Sequence, residues 1–259
     1  MHCFYCEPSE VGQEEIRLTG TDVNHIKNVL RMKPGEELIL CDGEDTEYRC
    51  VLLTLDKDEI RAKIQEKRPS TTELPVRLVL YQGLPKKDKM ELIVQKGVEL
   101  GAAEIVPVAM KHCVVRLEEE KKEQKKRERW QAIAEGAAKQ SGRGRVPLVS
   151  GVMDYAEAVR RATGEGMLLL PYENAGGMQS LRQAVAELTE RIRGKEEKCP
   201  VVSVLIGPEG GFAPEEVAEA VRQGAVLVSL GKRILRTETA GLTMLSILMY
   251  EIECSEEGE

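Results

Sequence analysis

A chain of 259 residues, 42% hydrophobic and 31% charged, has the composition of a globular protein of one large domain or two ordinary ones, not of a disordered or fibrous chain. A formal net charge of -7 excludes a surface that is basic all over, so any nucleic-acid binding has to come from local patches. No run approaches the roughly eighteen apolar residues of a membrane span, and the start from Met1 to Cys6 lacks a signal peptide's basic and apolar regions, so a cytosolic protein without membrane contact is expected.

The seven cysteines are odd in number, and Cys41, Cys50 and Cys113 lie in apolar, strand-like runs, as expected of reduced, buried thiols. Cys3 and Cys6 have a CxxC spacing, but no second pair follows at zinc-ribbon distance, so no metal is expected. Residues 1–68 read as strands with one short helix. Thr21 can cap that helix, Ile26, Val29 and Leu30 share its apolar face, and Pro34-Gly35 stops it. The runs 36–41 and 48–55 are β-like, and the turn Asp42-Gly43-Glu44-Asp45 joins them as a hairpin, with a small β-barrel as the natural closure.

The segment 68–75 holds two prolines and three hydroxyl residues with almost no apolar surface, which makes 69–75 the candidate linker. From Val76 the pattern alternates strand and helix: strands at 76–81, 105–108, 167–170, 201–206 and 225–230, helices at 88–100, about 118–140, 181–192 and 214–223. That alternation predicts a parallel sheet with helices outside. An apolar helix at 237–252 closes the domain of residues 76–254, and residues 255–259 are an acidic tail. This helix suits a core, a subunit interface, or both.

Two loops leave the carboxyl ends of apolar strands, where open α/β sheets bind ligands. The first, Gly207-Pro208-Glu209-Gly210-Gly211-Phe212, has three glycines able to take positive φ and let a ligand approach the backbone; a tight turn with a solvated Glu209 is the plain alternative. It lacks the Lys and Ser or Thr of a P-loop, and Glu215 and Glu216 would repel an anion at the following helix start. The second, from Gly231 to Ala240, mixes cationic and apolar residues, with Thr237 or Thr239 as the helix cap. Arg236 beside that cap opposes the helix dipole unless an anion pairs with it, Glu209 and a substrate phosphate being the candidates.

IGPEGGF at 206–212 followed by LGKRILRTETA at 230–240 resembles the ribosomal RNA small-subunit methyltransferase E family. The resemblance continues in Leu84 to Glu91, Gln95 to Gly101, Arg129 to Arg143 and, near the start, His25 to Met32 with Gly35. It therefore covers nearly the whole chain in order. It implies an N-terminal PUA-like β-barrel that binds RNA, followed by a SPOUT α/β domain with a deep trefoil knot, assembled as a homodimer through the terminal helix. It also implies transfer of a methyl group from S-adenosylmethionine to N3 of a uridine in 16S ribosomal RNA of the small subunit. Two departures stand out: Cys3 occupies a region where an arginine is frequent, and Lys232 stands where proline is frequent.

On that reading Leu170, Pro171, Tyr172, Glu173, Ile206, Gly207, Pro208, Gly210, Gly211, Leu230, Gly231, Ile234, Leu235, Thr239 and Ala240 hold the cofactor, largely through backbone groups. Uracil N3 must lose a proton, so Arg236 is the candidate to stabilise or position the anion, and Glu209 the candidate to orient Arg236 or accept the proton. Arg143 and Arg145, next to flexible glycines, are expected to meet RNA phosphates, joined by Lys86, Lys87, Lys89, His25 and Arg31. The run 121–127 reads as a solvated helix face. A noncatalytic ribosome-assembly protein that binds RNA, and a knotted methyltransferase acting on transfer RNA, remain the alternatives.

Overall fold

Alternation of apolar and polar residues builds the first sheet in the computed structural model, which describes residues 2–115, 120–173, 175, 177–194 and 199–257. Its strands are β1 (Cys3–Tyr5), β2 (Glu15–Thr19), β3 (Glu37–Cys41), β4 (Thr46–Leu55) and β5 (Glu59–Pro69), in the order β1-β3-β4-β5-β2. Only β1 and β3 run parallel. Ile16, Leu18, Leu38, Leu40, Cys50, Leu52, Ile60 and Ala62 fill one core with Phe4 and Ile26. Register shifts at Arg49/Cys50 and Leu52/Thr54 are bulges of the kind that bend a β-hairpin. The sheet curls, but β1 and β2 remain its edges, so the expected barrel is not closed by strand pairing among the described residues.

The short helix departs from its reading. α1 (Thr21–Asn24) starts with Gly20, not Thr21, at its cap and passes into a π-helical turn, His25–Val29. The wider turn keeps Ile26 buried but rotates Val29 out to 65% exposure. Arg31, at φ 55, ends the helical run before Pro34-Gly35 is reached.

Contacts divide the chain into Met1–Glu73 with Ala138–Val146, and Leu74–Ala137 with Pro147–Glu259. The segment 138–146, read as part of the second domain, belongs to the first unit. There the Tyr5 hydroxyl donates to the Arg143 carbonyl, Glu73 accepts from the Arg143 guanidinium, and Gly144 N donates to Thr72 Oγ1 at 3.1 Å. These partners lie about seventy residues or more away in sequence, and no local pattern announces them.

The second unit is a parallel sheet with helices. Its elements are β6 (Arg77–Gly83), α2 (Lys89–Glu99), β7 (Glu104–Ala109), α3 (Glu120–Ser141, whose last turn from Ala138 belongs to the first unit), β8 (Leu148–Val149), β9 (Met153–Asp154), α4 (Tyr155–Glu165), β10 (Met167–Pro171), α5 (Gln179–Gly194), β11 (Val201–Ile206), α6 (Pro214–Arg222), β12 (Val226–Val228) and α7 (Thr237–Glu257). The strand order is β12-β10-β11-β6-β7-β8, with β9 also on β7. β11 thus sits between β6 and β10, so the carboxyl ends of β10, β11 and β12 come together. α4, β8 and β9 were not read from the sequence: the strands have two residues each, and the buried face of α4 is only Ala158, Val159 and Ala162. The Asp154 carboxylate, accepting from Glu157 N at 3.0 Å, starts α4.

The buried face of α7 is Met244, Leu245, Leu248 and Ile252, all fully covered within the chain, while Tyr250 points outward. The helix continues through Glu257, so the residues read as an acidic tail begin as helix, and buried Ser255 donates to the Ile252 carbonyl at 2.7 Å. Among the described residues no helix is long and apolar enough to cross a membrane.

Candidate active site

Loops following β10, β11 and β12 enclose a cavity of about 580 Å³. Thirteen of the fifteen residues expected to hold a cofactor line it: Pro171, Tyr172, Glu173, Ile206, Gly207, Pro208, Gly210, Gly211, Leu230, Gly231, Ile234, Leu235 and Ala240. The other two do not. Leu170 is fully buried in β10, and Thr239 is exposed on the first turn of α7, away from the wall. Phe212, Ser229, Lys232, Arg233, Thr237 and Lys89 also line the cavity and were not expected there.

Buried polar bonds fix the floor. Thr237, the first residue of α7, donates its hydroxyl to the Gly207 carbonyl at 2.6 Å and accepts from Gln82 Nε2 at 2.8 Å. One threonine thus ties the end of β6, the loop after β11 and the start of α7 together. The backbones approach so closely that a Cβ added to Gly83 would lie 2.7 Å from Pro208 N. Of the three loop glycines only Gly211 has positive φ, at 69, whereas Gly210 makes room for His112, whose Cβ would be 2.8 Å from an added Cβ. His112 Nδ1 lies 3.1 Å and 3.2 Å from the Gly210 and Gly211 carbonyls, and two acceptors there require the Nδ1–H form. At the start of α6, Glu216 accepts from Ala213 N and Lys111 N at 2.8 and 2.9 Å, so it serves as a cap.

The charges pair differently from expectation. Glu209 accepts from Lys86 N at 3.1 Å and meets Lys89 Nζ at 3.1 Å, and the same ammonium reaches Glu238 at 3.0 Å. Arg236, exposed on the cavity wall, has no carboxylate partner among the described residues, so the expected Glu209–Arg236 pair is not made. Partial burial pushes the Glu209 carboxyl upward, but hydrogen bonds from backbone amides and Lys89 outweigh it and hold the group below the usual carboxylate range. An already ionised, fully engaged carboxylate is a weak proton acceptor at neutral pH.

Of the expected RNA contacts, Arg143 needs correction. It is 4% exposed and paired with Glu73, so it is a structural cation inside the first unit. Arg145 stays exposed while pairing with Asp45 at 3.0 Å. His25 and Arg31 are exposed in the same unit, His25 edge-on to Phe4 at 5.7 Å. In the second unit Lys86 and Lys87 are exposed, whereas Lys89 is committed to Glu209 and Glu238.

Fold and site define a two-part protein, a β domain followed by a parallel α/β domain with a backbone-lined ligand cavity at its carboxyl edge. Residues 72–249 match the family described as RNA methyltransferase domain, and residues 18–65 match the RNA methyltransferase PUA domain. The chain belongs to the ribosomal RNA small subunit methyltransferase E family. The Bacillus subtilis member is 38% identical over 256 residues, 98% of this chain and 98% of the relative. That of Mycobacterium tuberculosis is 32% identical over 232 residues, 87% of this chain and 82% of the relative. A crystal structure of the Neisseria gonorrhoeae protein bound to S-adenosyl methionine has a TM-score of 0.79 and 31% identity, covering 96% of this chain and 97% of that one.

Proposed function

We propose that this chain is an S-adenosylmethionine-dependent methyltransferase of small-subunit ribosomal RNA, that it acts on N3 of a uridine in 16S RNA, and that it works as a cytoplasmic homodimer. The observation that carries the reading is the cavity between Pro171, the 207–212 loop and the 229–236 loop. Its volume falls within the roughly 300–1,000 Å³ typical of small-molecule sites. Ile206, Leu230 and Leu235 offer apolar contacts for an adenine, and the glycines open backbone groups to its edge. Lys89 pairs with Glu209 and Glu238, so the charge it brings to the wall is neutralised locally. The cofactor supplies the electrophilic methyl group.

The protein's part is positioning and electrostatics. A neutral uracil must shed its N3 proton before its lone pair can attack, and a fixed guanidinium beside the nucleophile stabilises the resulting anion. Arg236 is the cavity-lining arginine next to the start of α7 and fills that role. Glu209 acts through Lys86 and Lys89, shaping the loop, and solvent takes the proton. Arg145, Lys86, Lys87, His25 and Arg31 meet RNA. The trefoil knot implied by the family resemblance is part of the same reading.

Isothermal titration with S-adenosylmethionine tests the cofactor assignment, and undetectable binding to the folded protein would remove it. Thr237→Val keeps the shape but leaves the buried Gly207 carbonyl without its donor, a loss of about 1–3 kcal/mol. The same titration should show cofactor affinity weakened about tenfold, and an unchanged affinity would free Thr237 from that role. For Glu209, the depressed pKa means ionisation is complete well below neutrality. Turnover should therefore rise with pH as N3 loses its proton, and Glu209→Gln should retain that rise. A parent profile flat near neutrality, with the rise appearing only in a much slower Glu209→Gln, would make Glu209 the base.

A further inference from the structure

The first unit contains a thiol pair with no part in the chemistry above. Cys3 lies opposite Ile39 and Tyr5 opposite Cys41 in the parallel β1–β3 ladder, so Cys3 and Cys41 are diagonal neighbours on one face. Their sulfurs are 3.3 Å apart and not bonded. Cys3 is half-buried, and Cys41 is fully covered. Among the described residues no group of three His, Cys, Asp or Glu is placed to hold a metal.

We propose that Cys3 and Cys41 form a reversible oxidation site, in which Cys3 reacts with a peroxide and Cys41 resolves it as an intramolecular disulfide. The two sulfurs divide the roles. The hydrogen bond from Cys41 holds the Cys3 thiol below its ordinary value against the opposing effect of burial. Cys41 is pushed far up, first by that same hydrogen bond and then by burial, so it keeps its proton. The other buried thiols are poor competitors: burial pushes Cys6 and Cys50 up to about 12 each.

The Cys3 thiolate attacks one peroxide oxygen, the O–O bond breaks, and hydroxide leaves to be neutralised by the proton that Cys3 released. The Cys41 sulfur then attacks the sulfenic sulfur of Cys3, and the displaced hydroxyl departs as water with the Cys41 proton. One hydrogen peroxide is thus reduced to two waters as two thiols become one disulfide. The bond staples the three-residue edge strand β1 to β3. β1 also carries Tyr5, whose hydroxyl holds the Arg143 carbonyl, so the oxidation state reaches the 143–145 segment.

The test uses the full chain carrying Cys199→Ser and Cys254→Ser, which removes the two exposed thiols and with them intermolecular bonds. The reduced protein is treated with one equivalent of hydrogen peroxide, remaining thiols are capped with a maleimide, and a digest is mapped without reduction. The expected product joins the Cys3 and Cys41 peptides, is two hydrogens lighter than their sum, and is released by dithiothreitol. Cys3 should be consumed at least about tenfold faster than Cys6 or Cys50. A Cys3–Cys6 disulfide, a sulfinic acid at Cys3 with Cys41 capped, or no modification of either overturns the proposal. Cys6→Ser should leave the crosslink intact.

Discussion

Arg236→Ala should lower turnover about 100- to 1,000-fold, the usual cost of removing one preorganised donor to a developing anion. Affinity for S-adenosylmethionine should stay within about threefold, because a group used only in the transition state contributes little to ground-state binding. The expectation rests on placement. Arg236 lines the cavity and has no carboxylate partner among the described residues, while the neighbouring Glu209, Glu238 and Lys89 are committed to one another. A cation at a helix start opposes the helix dipole, so its position is favourable only when an anion arrives. Single-turnover kinetics beside a cofactor titration separates the two effects. Unchanged turnover would show that another group stabilises the anion, and a matching loss of cofactor affinity would make Arg236 a cofactor contact.

The second large effect concerns stability. Glu104, at the start of β7, is 3% exposed and gathers four donors. Arg161 reaches it with two nitrogens at 3.0 and 2.7 Å, Ser150 Oγ donates at 2.5 Å, and Arg77 closes the ring. Burial pushes this carboxyl up, but the bonds from Arg161 and Ser150 outweigh it and hold it below its ordinary range. Glu104→Ala empties a buried position and takes one of two carboxylate partners from Arg77 and Arg161, which keep Glu165 and remain partly exposed. Losing these hydrogen bonds to a charged group costs about 1.5–3 kcal/mol, read as a drop in the chemical-denaturation midpoint of the α/β unit. The sign with pH follows from the depressed pKa: the stabilisation is complete above the ordinary glutamate range and is lost as pH falls through the lowered value. The parent protein should lose stability in acid more steeply than Glu104→Ala. Equal acid sensitivity would show that Glu104 contributes nothing through its charge.

Glu104 also shows where sequence reading stops. The strand at 105–108 was legible because an apolar run follows a helix, as were β6, α2, β11 and α6. Glu104 itself, one residue earlier, has its partners 27, 46 and 57 positions away, and only the strand order brings them together. The candidate site divides in the same way. Glycines at strand ends pointed to a backbone-lined cavity, and the family resemblance supplied the ligand. The Lys89–Glu209–Glu238 group joins residues 120 and more positions apart, and Lys89 alone reads as one more cation beside Lys86 and Lys87. Arg143 was misread for the same reason: flexible flanking glycines suggest a surface loop, and nothing local reveals that Glu73 waits for its guanidinium. α4 was missed because small alanines bury a face without the large apolar residues that mark one.

The most direct test of the proposed activity is a product map. The protein is incubated with methyl-labelled S-adenosylmethionine and small ribosomal subunits that lack this methyl group, and the RNA is digested and analysed by mass spectrometry. Label on N3 of a single uridine in 16S RNA is the expected result. Label confined to a ring carbon or a ribose oxygen, or no label with the cofactor bound, would contradict it.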